Sequence, residues 1–386
     1  MTTGTKSLIA AEAEERIAKI ESAIAASGYD AVVALGYASF QYLSGYWFPY
    51  GRSFPYRPSI VVWPAAGEPV ILVGRDQVKG PARDSWIQDV RAYAQLGRRP
   101  PGGVVEALAE TLEQSGLGRS RIGIEYSATT VSFFKELEAA LPGAEFSDCD
   151  EFLDLLRATK SPAELDTMQR CATAIEHGLM AAFERARPEW TEKQMHDAIC
   201  AEILARGPSN ILLVTVQSGA AASGFYPTSG NPLSAFVRTD ATAILDGYFA
   251  DMARMAFVGE PTEAQRQTYL HQLELNRRIV ASMQPGTPAC DVYAACVSAA
   301  ADLGIELLDQ PSIGLGHSIG LNSQDFPALK PAEETPLAPG MVFAIEPDTI
   351  GPAGELVHIE EMVVINADGP AVMTDSLDWS SIPIIR

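Results

Sequence analysis

Cysteine is scarce in this chain. Five occur in 386 residues, as Cys149, Cys171, Cys200, Cys290 and Cys296. The number is odd and no CxxC pair is present, which argues against a disulfide framework and for reduced thiols of a cytosolic kind. Positive charge is scarce too: 28 Lys and Arg stand against 49 Asp and Glu, a formal net charge of -21. That balance argues against a nucleic-acid backbone or an anionic membrane as partner. No uninterrupted apolar run approaches the roughly 18–20 residues that span a bilayer. The opening MTTGTKSLIAAEAEERIAKI has no apolar segment of the secretory kind, so a soluble, cytoplasmic protein is expected. Gly and Pro are not in excess, and neither a short-period repeat nor a low-complexity stretch is found.

What is present is an ordinary globular composition, 47% apolar, spread over a chain too long for one usual core. Two domains are therefore expected. Residues 9–27 read as an amphipathic helix with Ile9, Ile17, Ile20 and Ile24 on one side. DAVVALG (30–36), SIVVWP (59–64), EPVILVG (68–74) and RIGIEY (121–126) read as strands, and VVEALAETLEQSGL as a helix between them. This alternation predicts an α/β domain over residues 1–157. The join falls at RATKSPAEL, where Ser161, Pro162 and Glu164 form a helix-start signature. Beyond it, residues 158–386 alternate helices (to about Arg185, after Thr191, about 262–283 and 289–303) with strands, an α+β pattern.

Four elements of the second half carry chemistry. Residues 240–245 and 249–256 read as strands joined by the Asp246-Gly247 turn. A hairpin there lets Asp240 and Asp251 face one another, and two such carboxylates repel unless a proton or cation lies between them; the bland alternative is two aspartates at strand edges in water. Gly314-Leu-Gly316-His317-Ser-Ile-Gly320 supplies an imidazole in a segment whose glycines allow close backbone approach; taken alone, such a histidine is more often structural than a ligand. MVFAIEP and LVHIEEMVVIN place Glu346 and Glu360 in or at the end of apolar strands, where a buried carboxylate needs a partner. Glu361 has the opposite parity to Glu360, so only one of the two is expected to face inward. Four carboxylates and one imidazole make a donor set suited to Mn, Fe, Co or Zn.

Together these segments resemble the creatinase/prolidase/methionine aminopeptidase family, whose motifs follow the same chain order: Asp-(ten residues)-Asp, Gly-His-x-Ile-Gly-Leu, Gly-Met-Val-Phe-x-Ile-Glu-Pro, and Ile-Glu-Asp/Glu-x-Val. RATKSPAEL, PGTPACDVYAA (285–295) and YLSGY (42–46) extend the resemblance over nearly the whole chain. It implies a creatinase-like α/β N-terminal domain and an α+β C-terminal domain of "pita-bread" fold. It also implies two divalent cations: Asp251 and Glu360 bridging, Asp240 on one, His317 and Glu346 on the other. A metal-bridging hydroxide would cut a C–N bond, Glu346 passing its proton to the leaving nitrogen. A homodimer is implied as well, with the partner's N-terminal domain near the active site, and a small molecule or dipeptide as substrate.

The chain departs from the family pattern at three places. SGAAASGFYPTSGNPLSAFVRTD has no histidine ahead of Asp240. Gln324-Asp325 stands where the peptidases have His-Glu; both are counted here, with Glu346, as catalytic candidates, although Gln324 cannot carry a proton near neutral pH. His358 stands where prolidases have arginine. The loop from Trp47 through Tyr50 and Arg52 to Arg57 is aromatic and basic. Trp47, Tyr50, Arg57, Tyr226 and His358 are the expected substrate-binding residues, aromatic faces suiting a cationic nitrogen and arginine a carboxylate. Beside a metal-dependent hydrolase, two readings stay open. One is a non-peptidase relative, either a lyase of the dimethylsulfoniopropionate type or a creatinase-like amidinohydrolase. The other is a non-catalytic binding protein.

Overall fold

A computed structural model describes residues 5–48, 51, 57–94, 103–219, 228–308, 314–351 and 354–386, with side chains from residue 13 onward. The chain divides into two compact units, Met1–Arg157 and Ala158–Arg386.

The first unit is built on short apolar strands: β1 (Ala31–Ala34), β2 (Ile60–Pro64), β3 (Val70–Gly74), β4 (Asp89–Tyr93), β5 (Arg121–Ile124) and β6 (Glu145–Asp148). They form one mixed sheet in the order β4-β3-β2-β1-β5-β6. Every residue of β1, β2 and β3 is buried, as expected of continuous Val/Ile runs covered on both faces. The helices are α1 (Thr5–Ser27), α2 (Tyr37–Ser44), α3 (Lys79–Asp84), α4 (Val104–Gln114), α5 (Val131–Ala140) and α6 (Asp150–Ala158). In α1, Ile20 and Ile24 are fully buried, on the side that the helical period indicated.

In the second unit the helices are α7 (Pro162–Arg185), α8 (Glu192–Leu204), α9 (Glu263–Ser282) and α10 (Ala289–Leu303). Helix α7 opens on a full capping box: Ser161 Oγ accepts from Glu164 N at 3.2 Å and Glu164 Oε2 accepts from Ser161 N at 2.8 Å. The long strands are β7 (Asn210–Ser218), β8 (Phe236–Leu245) and β9 (Tyr248–Val258). Short ones follow as β10 (Glu306–Leu307), β11 (Gly316–Ser318), β12 (Asp325–Ala328), β13 (Val342–Ile345), β14 (Thr349–Ile350) and β15 (Leu356–Val357). The last three are β16 (Glu361–Asn366), β17 (Gly369–Val372) and β18 (Ile384–Ile385). They form three sheets, ordered β18-β9-β8-β7, β12-β11-β13-β16-β17 and β10-β14-β15. Helix α7 packs on β8 and β9, so every residue of β8 is buried.

One expectation is corrected here. LVHIEEMVVIN is two strands, β15 and β16, with His358, Ile359 and Glu360 between them. The backbone of this link is satisfied from outside its own ladder. Glu360 N donates to Ala253 O at 3.1 Å, Asn276 Nδ2 to Ile359 O at 2.8 Å, and Arg254 Nη1 to Glu360 O at 2.6 Å. Among the described residues, no helix is long and apolar enough to cross a membrane. All five cysteines are free thiols, and burial pushes those of Cys171 and Cys296 up to about 12.

Candidate metal centre

The centre starts from a tight turn. Asp246 and Gly247 both have positive φ, 50° and 89°, the backbone that a two-residue hairpin needs. This turn fixes the register of β8 on β9, with Leu245 opposite Tyr248, Thr242 opposite Asp251 and Asp240 opposite Ala253. Asp240 and Asp251 are thus diagonal neighbours on one face, not the directly opposed pair expected from sequence. The residue facing Asp251 is Thr242, whose hydroxyl donates to Asp251 Oδ1 at 2.8 Å.

His317 lies in β11, between Ala328 of β12 and Ala344 of β13. Those small neighbours leave room for the imidazole. Its Nδ1 is 3.1 Å from Ser318 O; a carbonyl only accepts, so Nδ1 carries the hydrogen and Nε2 keeps its lone pair. Nε2 lies 3.4 Å from Glu346 Oε1. Burial lowers the imidazole's affinity for a proton, which favours the neutral form that binds metals. The approach of β11 to β13 depends on Gly316. It has φ 149°, and a Cβ there would sit 2.1 Å from Ala344 O. Gly316→Ala should therefore cost about 1–3 kcal/mol, measured by urea unfolding, with weaker cation binding because His317 is the next residue. A variant as stable as the parent would contradict this packing account.

Ligand-capable atoms of Asp251, His317 and Glu360 all lie within 4.8 Å of one another, and so do those of Glu346, His358 and Glu360. Glu360 belongs to both groups, is 1% exposed, and its Oε1 has no hydrogen-bond partner among the described residues. Burial pushes the carboxyls of Asp240, Asp251 and Glu360 upward, Glu346 reaching about 7. Mutual repulsion adds to the effect at Asp251 and Glu360. Carboxylates so buried and crowded need protons or cations among them. Oxygen donors with a neutral imidazole fit divalent cations of the Mn, Fe, Co or Zn type.

Asp240, Asp251, His317, Glu346 and Glu360 all line one cavity of about 660 Å³. Gln324 and Asp325 line it as well, Gln324 exposed and Asp325 half-buried. Asp325 accepts from Asn322 N at 3.4 Å and Asn322 Nδ2 at 3.3 Å. His358 is different. It is 1% exposed and is not among the residues that line this cavity. Its Nδ1 is 2.7 Å from Asp348 Oδ1. Burial opposes a proton on this imidazole, yet the Asp348 hydrogen bond and the charges of Asp348, Asp240 and Glu346 outweigh it, and the net shift is upward.

Trp47 and Arg57 belong to the first unit, where Arg57 Nη1 is 3.3 Å from Asp76 Oδ2 across a solvent-exposed pair. Tyr50, Arg52 and Tyr226 lie outside the described residues. Three residues that the sequence did not single out support the centre: Thr242, Asp348 and Arg254. Arg254 had the clearest signal, a lone cation inside the apolar run of β9. It has the opposite parity to Asp251 and pairs with Glu361 at 2.8 Å. Glu361 thus faces away from Glu360, as its parity requires, yet is only 13% exposed.

The sequence pattern of metallopeptidase family M24 matches residues 166–367, more than half of the chain. The chain belongs to metallopeptidase family M24. A creatinase/prolidase N-terminal domain matches residues 16–159. This member of family M24 is 26% identical over 353 residues to the Xaa-Pro dipeptidase of Lactobacillus helveticus, covering 89% of this chain and 92% of that one. It is 27% identical over 265 residues to the Xaa-Pro dipeptidase of Pyrococcus horikoshii, covering 67% and 74%. Among solved structures, the dipeptidase PepE of Mycobacterium ulcerans superposes with a TM-score of 0.81 at 25% identity, over 100% of both chains. The X-Pro aminopeptidase of Thermotoga maritima shares the fold, with a TM-score of 0.80 at 20% identity over 95% of this chain and 99% of that one. The two-domain creatinase/prolidase architecture with its pita-bread second domain is thus established, and the M24 protein is a metal-dependent hydrolase.

Proposed function

We propose that the chain is a dinuclear hydrolase that cleaves an amide or peptide C–N bond in a small substrate. The observation that carries two cations rather than one is Glu360. Its ligand atoms stand within 4.8 Å of those of Asp251 and His317 in one group and of Glu346 in an overlapping one, and it has a buried oxygen without a hydrogen-bond partner among the described residues. Asp240, Asp251, His317, Glu346 and Glu360 are the ligands of this reading. When bound, a cation pair supplies Lewis-acid polarisation of a carbonyl and a lowered pKa for water.

The remaining work falls to side chains. Glu346 stands at the cavity wall beside His317, positioned to take a proton from attacking water and return it to the leaving nitrogen. Leu212, Leu213, Leu307 and Leu308 give the cavity an apolar side, which excludes water from part of a bound molecule. Gln324 on the same wall donates and accepts hydrogen bonds but moves no proton. A volume of about 660 Å³ accommodates a ligand of dipeptide size. The relatives' names favour an Xaa-Pro dipeptide as first substrate to try.

The test is metal analysis followed by a substrate panel of Xaa-Pro dipeptides, other dipeptides, cyclic amides and small betaines, each with Mn, Fe, Co or Zn. Two cations per chain and release of an amine from at least one amide are expected. Elimination from a betaine with every amide untouched would replace hydrolysis by lyase chemistry. A chain that takes up no cation would leave only a binding role.

A further inference from the structure

We infer that His358, through Nε2, is a sixth protein ligand of the cation pair, on the side of Glu346 and Glu360. The inference rests on the dinuclear reading above. Nδ1 of His358 is 2.7 Å from Asp348 Oδ1. With a carboxylate as acceptor, Nδ1 carries the hydrogen, and the lone pair of the neutral ring stays on Nε2. That nitrogen is buried and has no hydrogen-bond partner among the described residues. An orphaned buried polar atom costs about 1–3 kcal/mol, so a native fold that keeps one calls for a reason. His358 offers a ligand-capable nitrogen within 4.8 Å of ligand atoms of Glu346 and Glu360, and Nε2 is the nitrogen that the Asp348 hydrogen bond leaves open.

A substrate contact does not account for this nitrogen, because His358 is enclosed and does not line the cavity. A hydrogen bond to a neighbouring carboxylate does not account for it either, since none is formed. Asp348, His358 and a cation then make the carboxylate–histidine–metal arrangement that holds a ring in one tautomer and orientation. A second imidazole moves the preference of that position away from Mg and Ca and toward Mn, Fe, Co and Zn.

Cobalt(II) loading tests this without recourse to activity. The full-length protein is stripped by chelator and titrated with cobalt, and its visible spectrum and X-ray absorption are recorded. Two cobalt ions with an average of one imidazole each are expected. In His358→Gln, one of the two ions should bind roughly 10–100-fold more weakly or worse, with a changed spectrum, while the other binds as before. Two ions bound by His358→Gln with parental affinity and spectrum would overturn the inference and leave the dinuclear reading intact. If that variant does not fold, the parent decides, since an average of half an imidazole per cobalt overturns the inference. A parent that binds fewer than two cobalt ions overturns the dinuclear reading itself.

Discussion

Asp251→Ala is expected to leave a folded protein that neither holds its cations nor turns over. Asp251 stands in one of the two ligand groups, with His317 and Glu360, and is one of the five ligands of the proposed reading. Its removal should cost more affinity than the roughly 10–100-fold that follows loss of a supporting partner, with turnover lost in parallel. The fold should survive because two effects oppose each other. Thr242, 2% exposed, loses the acceptor of its hydroxyl, a cost of about 1–3 kcal/mol. Against that, burial and the charge of Asp240 hold the Asp251 carboxyl well above its ordinary range, so an unfavourable charge leaves the interior with it. The signature is thermal. Added Mn should raise the melting temperature of the parent by mass action, worth about 2.7 kcal/mol at a hundredfold excess over Kd, and leave the variant unmoved. Elemental analysis completes the measurement, and a variant with stoichiometric metal and parental turnover would remove Asp251 from the ligand set.

The register that separates Asp240 from Asp251 could have been read from the sequence. A two-residue turn at Asp246-Gly247 makes Leu245 and Tyr248 partners, and counting outward from that pair puts Thr242, not Asp240, opposite Asp251. Turn chemistry was legible because positive φ is costly for most residues and cheap for glycine. The strands and the capping box at Ser161 were legible for similar local reasons. The Asp348–His358 pair was not, because it depends on splitting LVHIEEMVVIN. Once β14 and β15 are recognised as an antiparallel pair, with Thr349 opposite Val357 and Ile350 opposite Leu356, the next rung outward sets Asp348 against His358. No apolar pattern marks a strand of two residues, so the sequence concealed both the hairpin and its polar rung. The five acidic and imidazole residues on the cavity were legible through motifs, whereas the arginine behind them depends on contacts across 107 positions.

That arginine gives the second large effect. Arg254 is 1% exposed and its two terminal nitrogens donate inside the protein, while Nε has no hydrogen-bond partner among the described residues. Nη1 reaches Ala253 O at 3.0 Å and Glu360 O at 2.6 Å, and Nη2 reaches Glu361 Oε2 at 2.8 Å and Thr374 O at 2.7 Å. Its guanidinium lies 5.0 Å from the centre of the Trp379 ring. Arg254→Met keeps much of the volume but strands the Glu361 carboxylate, which should cost about 3–5 kcal/mol in urea unfolding. Lysine is not a conservative replacement, because a single ammonium cannot serve four acceptors in this fork geometry. The double variant Arg254→Met, Glu361→Met should recover part of that loss, since the uncompensated charge goes with its partner. Cation affinity should not recover, because the carbonyl of Glu360 still lacks the donor that holds it. Stability and metal binding therefore separate in the double variant. A single variant within about 1 kcal/mol of the parent would mean that the backbone of Glu360 is held by Ala253 and its neighbours alone.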